Sequence, residues 1–306
     1  MANSLHSCNS LTGALFILVQ DTEEEYEGYF CNTDDTIRKF LAAFGLTPVD
    51  TNRLINTGGA GNGFDVEKRE DALISEFIKT FNSKFPATEE MAEGAHSIYS
   101  QKPGEKESAI DSPDNLLLEW TAEEYKIFRA AENAEYMDVI APGFKSVEDF
   151  VKVANKVLNR RKSRAGKSLE HHLATLFDEN KVEYTAQGVT EENKKPDFIF
   201  PSVEAYHDPT FLVEDLCTLA AKTTCKDRWR QILNEADRLR DDYKYLCTLQ
   251  QGISANQLTE MESEKVILVV PQKYHSVYPK EKRNQIWTVH RFITHVKEME
   301  EKTKLY

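Results

Sequence analysis

Lys222 closes a run, Leu216 to Thr223, whose other positions are mostly apolar or small. Such a run reads as a strand buried in a sheet, and a charge at its end needs a reason to be there. An isolated strand-terminal lysine most often points into solvent. The surroundings of this one change the reading. Pro196-Asp197 opens a second apolar stretch, Phe198 to Phe200, and the residues from Cys225 to Glu235 read as a charged helix. Two strand ends and the helix after them can therefore bring Asp197, Lys222 and Glu235 to one point. That requirement constrains the fold to a sheet with flanking helices.

The residue types suit hydrolysis of a phosphodiester. Oxygen ligands from Asp197 and Glu235 suit a hard divalent cation, which neutralises charge at phosphorus and lowers the pKa of a bound water. A lysine beside it can hold or deprotonate that water and stabilise phosphate oxygens. Lys222 has that position. Competing sites are weak. Thr57 to Gly63 is glycine-rich but lacks the Lys-Ser/Thr tail of a phosphate loop, and Gly166-Lys167-Ser168 has Arg161 where the first glycine should stand. His171 and His172 diverge by about 100 degrees on a helix and cannot chelate one ion, so contact with solvent or a DNA backbone is expected.

The spacing of Pro196-Asp197, Lys222 and Glu235 is similar to the PD-(D/E)xK nuclease pattern, in the variant whose second carboxylate comes from the following helix. The runs Asn159 to Glu170, Asn193 to Phe198 and Lys222 to Ala236 resemble the catalytic domain of EcoRII-type type II restriction endonucleases. The similarity extends from about Phe85 to near the C-terminus. What it implies is a Mg²⁺ held by Asp197 and Glu235, a Lys222 that orients the attacking water, and an accessory Glu170. It also implies a homodimer cutting both strands of a short, nearly palindromic duplex, since two-fold sites favour two-fold proteins. The cognate DNA methyltransferase would act on the same site without binding this protein.

Lys226, Asp227 and Arg228 follow the lysine closely enough to enter the major groove while the carboxylates meet the phosphate. Lysine or arginine donating to guanine and aspartate accepting from cytosine N4 would read G·C pairs, which fits a CC(N or W)GG-like site. The resemblance further implies flipping of the central bases, with Tyr206 and Trp120 as candidate stacking platforms. Arg161 and Arg164 are candidate phosphate or guanine contacts. They belong to a basic stretch, Lys145 to Lys167, with eight basic residues against Glu148 and Asp149. A structure-specific or nicking repair nuclease of the same fold is the alternative enzyme, and an inactive DNA-binding homologue the alternative from another class. Loss of Asp197, Lys222 or Glu235 would mark the latter, and all three are present.

A net charge of -13 over 306 residues argues against indiscriminate binding to nucleic acid, because whole-molecule repulsion opposes counterion release. No apolar run reaches the length of a membrane span, and the N-terminus lacks the pattern of a secretory leader. Five cysteines without a CxxC pair read as buried thiols in a reducing cytoplasm.

Taken in order, Leu11 to Val19 and Tyr26 to Cys31 read as a strand pair, and Asp34-Asp35 as the cap of a helix from Thr36 to Phe44 that Gly45 stops. Helical patterns follow at Lys68 to Phe81, Thr88 to Ser100, Ser112 to Ala131, Val147 to Asn159 and Lys167 to Glu179. Strands are expected near Val182 to Thr185, Phe198 to Phe200, Leu216 to Thr223, Tyr245 to Leu249 and Val266 to Val270. They alternate with helices at Lys226 to Arg240 and Arg283 to Glu301, an order that predicts an α/β fold with a central mixed sheet between helices. Residues 1–82 are expected to form a small α+β segment, a remnant of an effector-like domain. Residues 83–306 would be the catalytic domain. So short a first segment is not expected to form a second DNA-binding site.

Overall fold

The structure, a computed structural model, describes residues 11–20, 25–44, 46–52, 64–81, 84–226, 228–249 and 252–303, with backbone alone at 64–68 and 165. Two compact units emerge, one of Met1–Leu41 with Phe177–Tyr306 and one of Ala42–Leu176. The division expected after residue 82 does not coincide with this partition. Instead, the first strands group with the C-terminal half.

The first unit holds both sheets. Strands β1 (Leu15–Gln20) and β2 (Tyr26–Cys31) form an antiparallel hairpin with Leu15 opposite Cys31 and Gln20 opposite Tyr26. It leads into helix α1 (Asp34–Phe44). The sequence assigns the cap of α1 to Asp34 and Asp35, but Thr33 supplies it: Thr36 N–H donates to Thr33 Oγ1 at 3.2 Å, and Thr33 N–H to Thr36 Oγ1 at 3.1 Å. Asp34 turns elsewhere. The larger sheet runs β3 (Thr185–Ala186), β4 (Phe198–Phe200), β5 (Cys217–Ala221), β6 (Lys244–Cys247), β7 (Val266–Val269), in that spatial order. Pairing is antiparallel from β3 to β5 and parallel from β5 to β7, so the sheet is mixed as expected.

Alternation along β4 sends Phe198 and Phe200 to one face and Ile199 to the other. On the first face the two rings pack edge-on against Phe177, each with centroids 5.2 Å away, and Phe200 meets Phe292 at 5.5 Å. On the opposite face Ile199 joins Tyr206, Leu216, Ala236 and Leu239 in a second cluster. Every residue of β5 is buried, as a strand covered on both faces requires. The last helix buries Val289, Phe292, Ile293, Val296 and Met299, a single 3.6-period stripe, and spans Val289–Thr303. A 3₁₀ turn, Lys280–Gln285, occupies the start expected for that helix.

The second unit is helical. Its elements are α2 (Phe64–Lys79), α3 (Thr88–Gln101), α4 (Pro113–Ile140) and the part of α5 (Val147–Glu179) before residue 177. Ile74, Met91, Ala95, Ile98, Ile127 and Phe128 form its core. Gly94 is required there: a Cβ on it would stand 2.5 Å from the Phe77 ring. The two helices expected at Val147 to Asn159 and Lys167 to Glu179 are one continuous helix. Ion pairs hold it antiparallel to α4, the partners running from Arg164 with Glu124 (3.3 Å) to Lys156 with Glu135 (3.2 Å).

The largest departure lies between Lys226 and Arg240, where the expected α-helix is a pair of 3₁₀ turns, Arg228–Asn234 and Asp237–Leu239. Trp229, Ile232, Ala236 and Leu239 are nonetheless buried at helical spacing. At the start of the segment Asp34 accepts the Lys226 and Arg228 N–H groups, and Gln257 donates to the Lys226 carbonyl. Residues 57–63, Gly45 and Cys8 lie outside the described residues. Cys217, Cys225 and Cys247 are buried, and none of them forms a disulfide.

Candidate active site

Antiparallel pairing of β4 with β5 sets Phe198 opposite Leu219, so the residue before β4 meets the end of β5. Asp197 Oδ2 accepts the Ala221 N–H at 2.7 Å and the Lys222 ammonium at 2.7 Å. The Lys222 N–H continues the parallel ladder to Cys247 O at 2.9 Å, which fixes where its side chain leaves the sheet. Both charged side chains are mostly buried, 8% exposed for Asp197 and 16% for Lys222.

Glu235 follows the first 3₁₀ turn. Its carbonyl accepts from Thr190 Oγ1 at 2.6 Å, which ties the glutamate to the loop between β3 and β4. Burial raises its carboxyl pKa, Lys222 pulls it back, and the negative charge of Asp197 pushes it up again, leaving it at about 7. Asp197, Lys222 and Glu235 thus share one electrostatic environment, as the sequence anticipated. Gln187, in the same β3–β4 loop, was not anticipated. Its N–H donates to Asp197 O at 3.1 Å and its amide to Asp197 Oδ1 at 3.0 Å. No sequence motif marks it, because the contact depends on where the loop folds back.

Asp197 on the Lys222 ammonium, with the Glu235 carboxyl under the influence of both charges, makes an oxygen-rich set. That suits a small divalent cation, which commonly takes one or two protein carboxylates and completes its shell with water and phosphate. Among the described residues no group of three or more histidine, cysteine, aspartate or glutamate side chains gathers as a richer metal site.

Other candidates fall differently. Glu170 lies on α5 in the helical unit and accepts from Lys167 Nζ at 3.0 Å. Arg161 and Arg164, read as DNA contacts, are internal. Arg161 Nε donates to Glu132 at 2.7 Å and its NH1 to Ala42 O at 2.7 Å, and Arg164 is buried over Phe128 and Tyr125 with Glu124 as ion-pair partner. Glutamates of α4 take up four residues of this basic stretch, Lys156, Arg160, Arg161 and Arg164. His172 is fully buried between Glu124 and His96, so it contacts neither solvent nor DNA.

Tyr206 and Trp120 are also buried, at 1% and 4% exposure. The Tyr206 hydroxyl donates to Glu191 at 2.7 Å and accepts the Arg238 N–H at 3.1 Å, while Trp120 packs on His96 with centroids 4.0 Å apart. Neither ring offers a face to a base in this conformation. Lys226 is buried as well, its ammonium donating to Asn32. Arg228 is half-buried, and its guanidinium makes no hydrogen bond or ion pair among the described residues. Asp227 lies outside the described residues.

This mixed sheet, flanked by helices and carrying Asp197 and Lys222 at adjoining strand ends, has the fold of the restriction endonucleases. Solved structures that share it include metal-depleted Ecl18kI in complex with uncleaved DNA (TM-score 0.58, 18% identity, 76% of this chain and 85% of that one). The restriction endonuclease PspGI–substrate DNA complex also shares it (TM-score 0.54, 18% identity, 76% and 93%). The chain belongs to the EcoRII C-terminal family, whose profile matches residues 128–293. The type II restriction enzyme EcoRII of Escherichia coli is 49% identical over 211 residues, 69% of this chain and 50% of that protein. The chain therefore spans half the length of that relative.

Proposed function

We propose that the protein is a type II restriction endonuclease, cutting both strands of duplex DNA at a CC(N or W)GG-like site with Mg²⁺. The observation that carries this reading is the contact of Asp197 with Lys222 where β4 begins and β5 ends, with Glu235 within the electrostatic reach of both, in a chain of this family. Asp197 and Glu235 would hold the metal, which when bound supplies an acidified water and screens charge on the phosphate. Lys222, fixed through its own N–H and through Asp197, points its ammonium where it can orient water and hold a phosphate oxygen. Gln187 and Ala221 set the Asp197 carboxylate. Glu170 is the proposed accessory acid, and Arg228 the reader of an outer guanine.

A homodimer is part of the proposal, since a two-fold site asks for two copies of the same reading and cutting groups. Family membership also supports extrusion of the central bases. Their platform would have to be other than Tyr206 and Trp120 as these now stand.

Asp197→Ala and Lys222→Ala test the assignment. Both act on the scissile phosphate and not on base edges, so cleavage in Mg²⁺ should vanish while a gel shift on the cognate duplex in Ca²⁺ persists. Cutting within about tenfold of wild type by either variant, a loss under roughly 1.4 kcal/mol of barrier, would remove these residues from the active site.

A further inference from the structure

The peptide that carries Arg228 is held by a carboxylate nearly two hundred positions earlier in the chain. Asp34, at the start of α1 and only 1% exposed, accepts the Lys226 N–H at Oδ1 (3.0 Å) and the Arg228 N–H at Oδ2 (3.1 Å). Gln257, from the helix Ala255–Ser263, donates its side-chain amide to the Lys226 carbonyl. Asn32, just before α1, accepts the Lys226 ammonium. Cys225 and Trp229, on either side, are buried to 1% exposure or less. Hydrogen bonds to a carboxylate are stronger than those between neutral groups, and two of them to N–H groups two residues apart fix the local backbone direction.

We infer that Asp34, assisted by Gln257, is a specificity-positioning residue: it clamps the backbone from which Arg228 reaches a base edge, so that the N-terminal segment sets discrimination without touching DNA. The inference rests on the proposed role of Arg228. A bidentate contact to guanine tolerates little misplacement, since both N–H groups must meet N7 and O6 together. A backbone held at both N–H groups removes that freedom before DNA arrives. Asp197 and Lys222 are held by separate contacts, through Gln187, Ala221 and Cys247, and Glu235, farther along the clamped segment, is tied through its carbonyl to Thr190, so loosening the clamp should reach base reading first.

Asp34→Asn keeps the shape and loses one acceptor, because its amide NH₂ faces a backbone N–H. The experiment measures single-turnover cleavage in Mg²⁺ on the cognate duplex and on duplexes changed at one outer G·C pair, for wild type, Asp34→Asn, Gln257→Ala and Arg228→Ala. The expected result for Asp34→Asn is a fall of roughly tenfold or more in the cognate-to-altered ratio, the scale of one good base contact, with a smaller fall for Gln257→Ala. In the double variant Asp34→Asn, Arg228→Ala, the ratio should be no lower than with Arg228→Ala alone, since both changes remove the same contact. Arg228→Ala is the control on the premise. If it keeps the wild-type ratio, base reading by Arg228 fails and the inference with it. If it collapses the ratio while Asp34→Asn leaves it intact, or lowers both rates equally, the clamp is overturned and the Arg228 reading stands. Circular dichroism and a melting curve accompany each variant. Where Asp34→Asn does not fold, Gln257→Ala decides, and an unchanged ratio there overturns the clamp.

Discussion

Tyr206 shows how one side chain separates two accounts that look alike in the sequence. Its place nine residues after Asp197 suggests a ring near the DNA, whereas the structure uses the ring as core filling and the hydroxyl as a link between Glu191 and the Arg238 N–H. Tyr206→Phe should then lower stability by about 0.5–1.5 kcal/mol, because the half-buried Glu191 carboxylate and Arg238 N–H lose their partner. Tyr206→Ala should cost about 3–5 kcal/mol through the cavity it leaves. Chemical denaturation measures both. Once each variant is held below its melting temperature, cognate DNA affinity should follow the folded fraction. A platform role would instead spare Tyr206→Phe and weaken binding by Tyr206→Ala at unchanged stability.

Helices α4 and α5 are joined by charge as well as by apolar contact, and the basic stretch of α5 belongs to that joint. Arg161 is the test case. With Glu132 and the Ala42 carbonyl as its partners, Arg161→Ala leaves a mostly buried carboxylate uncompensated, and a loss of about 2–4 kcal/mol in stability is expected. Urea unfolding reads it. The salt dependence of DNA binding by the folded variant should match wild type, whereas loss of a phosphate contact would reduce the slope by about one unit. His96 belongs to the same helical unit, its pKa pulled down to about 3 by burial first and then by His172. At this scale the strands were legible, because Phe198 to Phe200, Leu216 to Thr223 and Val266 to Val270 carry their burial in their own composition. The arginines were not: whether a basic helix faces DNA or the glutamates of its neighbour depends on antiparallel pairing of segments 21 to 40 positions apart. The same limit hid the 3₁₀ turns after Lys226, whose side-chain spacing is helical while their backbone partners come from Asp34 and Gln257. Within the candidate site, Asp197, Lys222 and Glu235 could be read from chemistry and spacing. Gln187 and Thr190 could not, since loop residues acquire their partners only when the chain folds back.

For the molecule as a whole, a net charge of -13 makes any DNA contact local, so selectivity has to come from a few well-placed groups and not from general attraction. The sheet supplies the placement. Its antiparallel half brings Asp197 to β5, its parallel half anchors Lys222 to β6, and the irregular segment between β5 and β6 carries both Arg228 and Glu235. The proposed reading residue Arg228 and the proposed metal ligand Glu235 thus leave the same stretch of backbone. The most direct measurement is digestion of a plasmid of known sequence in Mg²⁺, with every fragment end mapped, beside the Lys222→Ala variant. The account predicts discrete double-strand breaks confined to CC(N or W)GG-like sites and none from the variant. Nicks or breaks scattered over unrelated sequences, or the same pattern from Lys222→Ala, would contradict it.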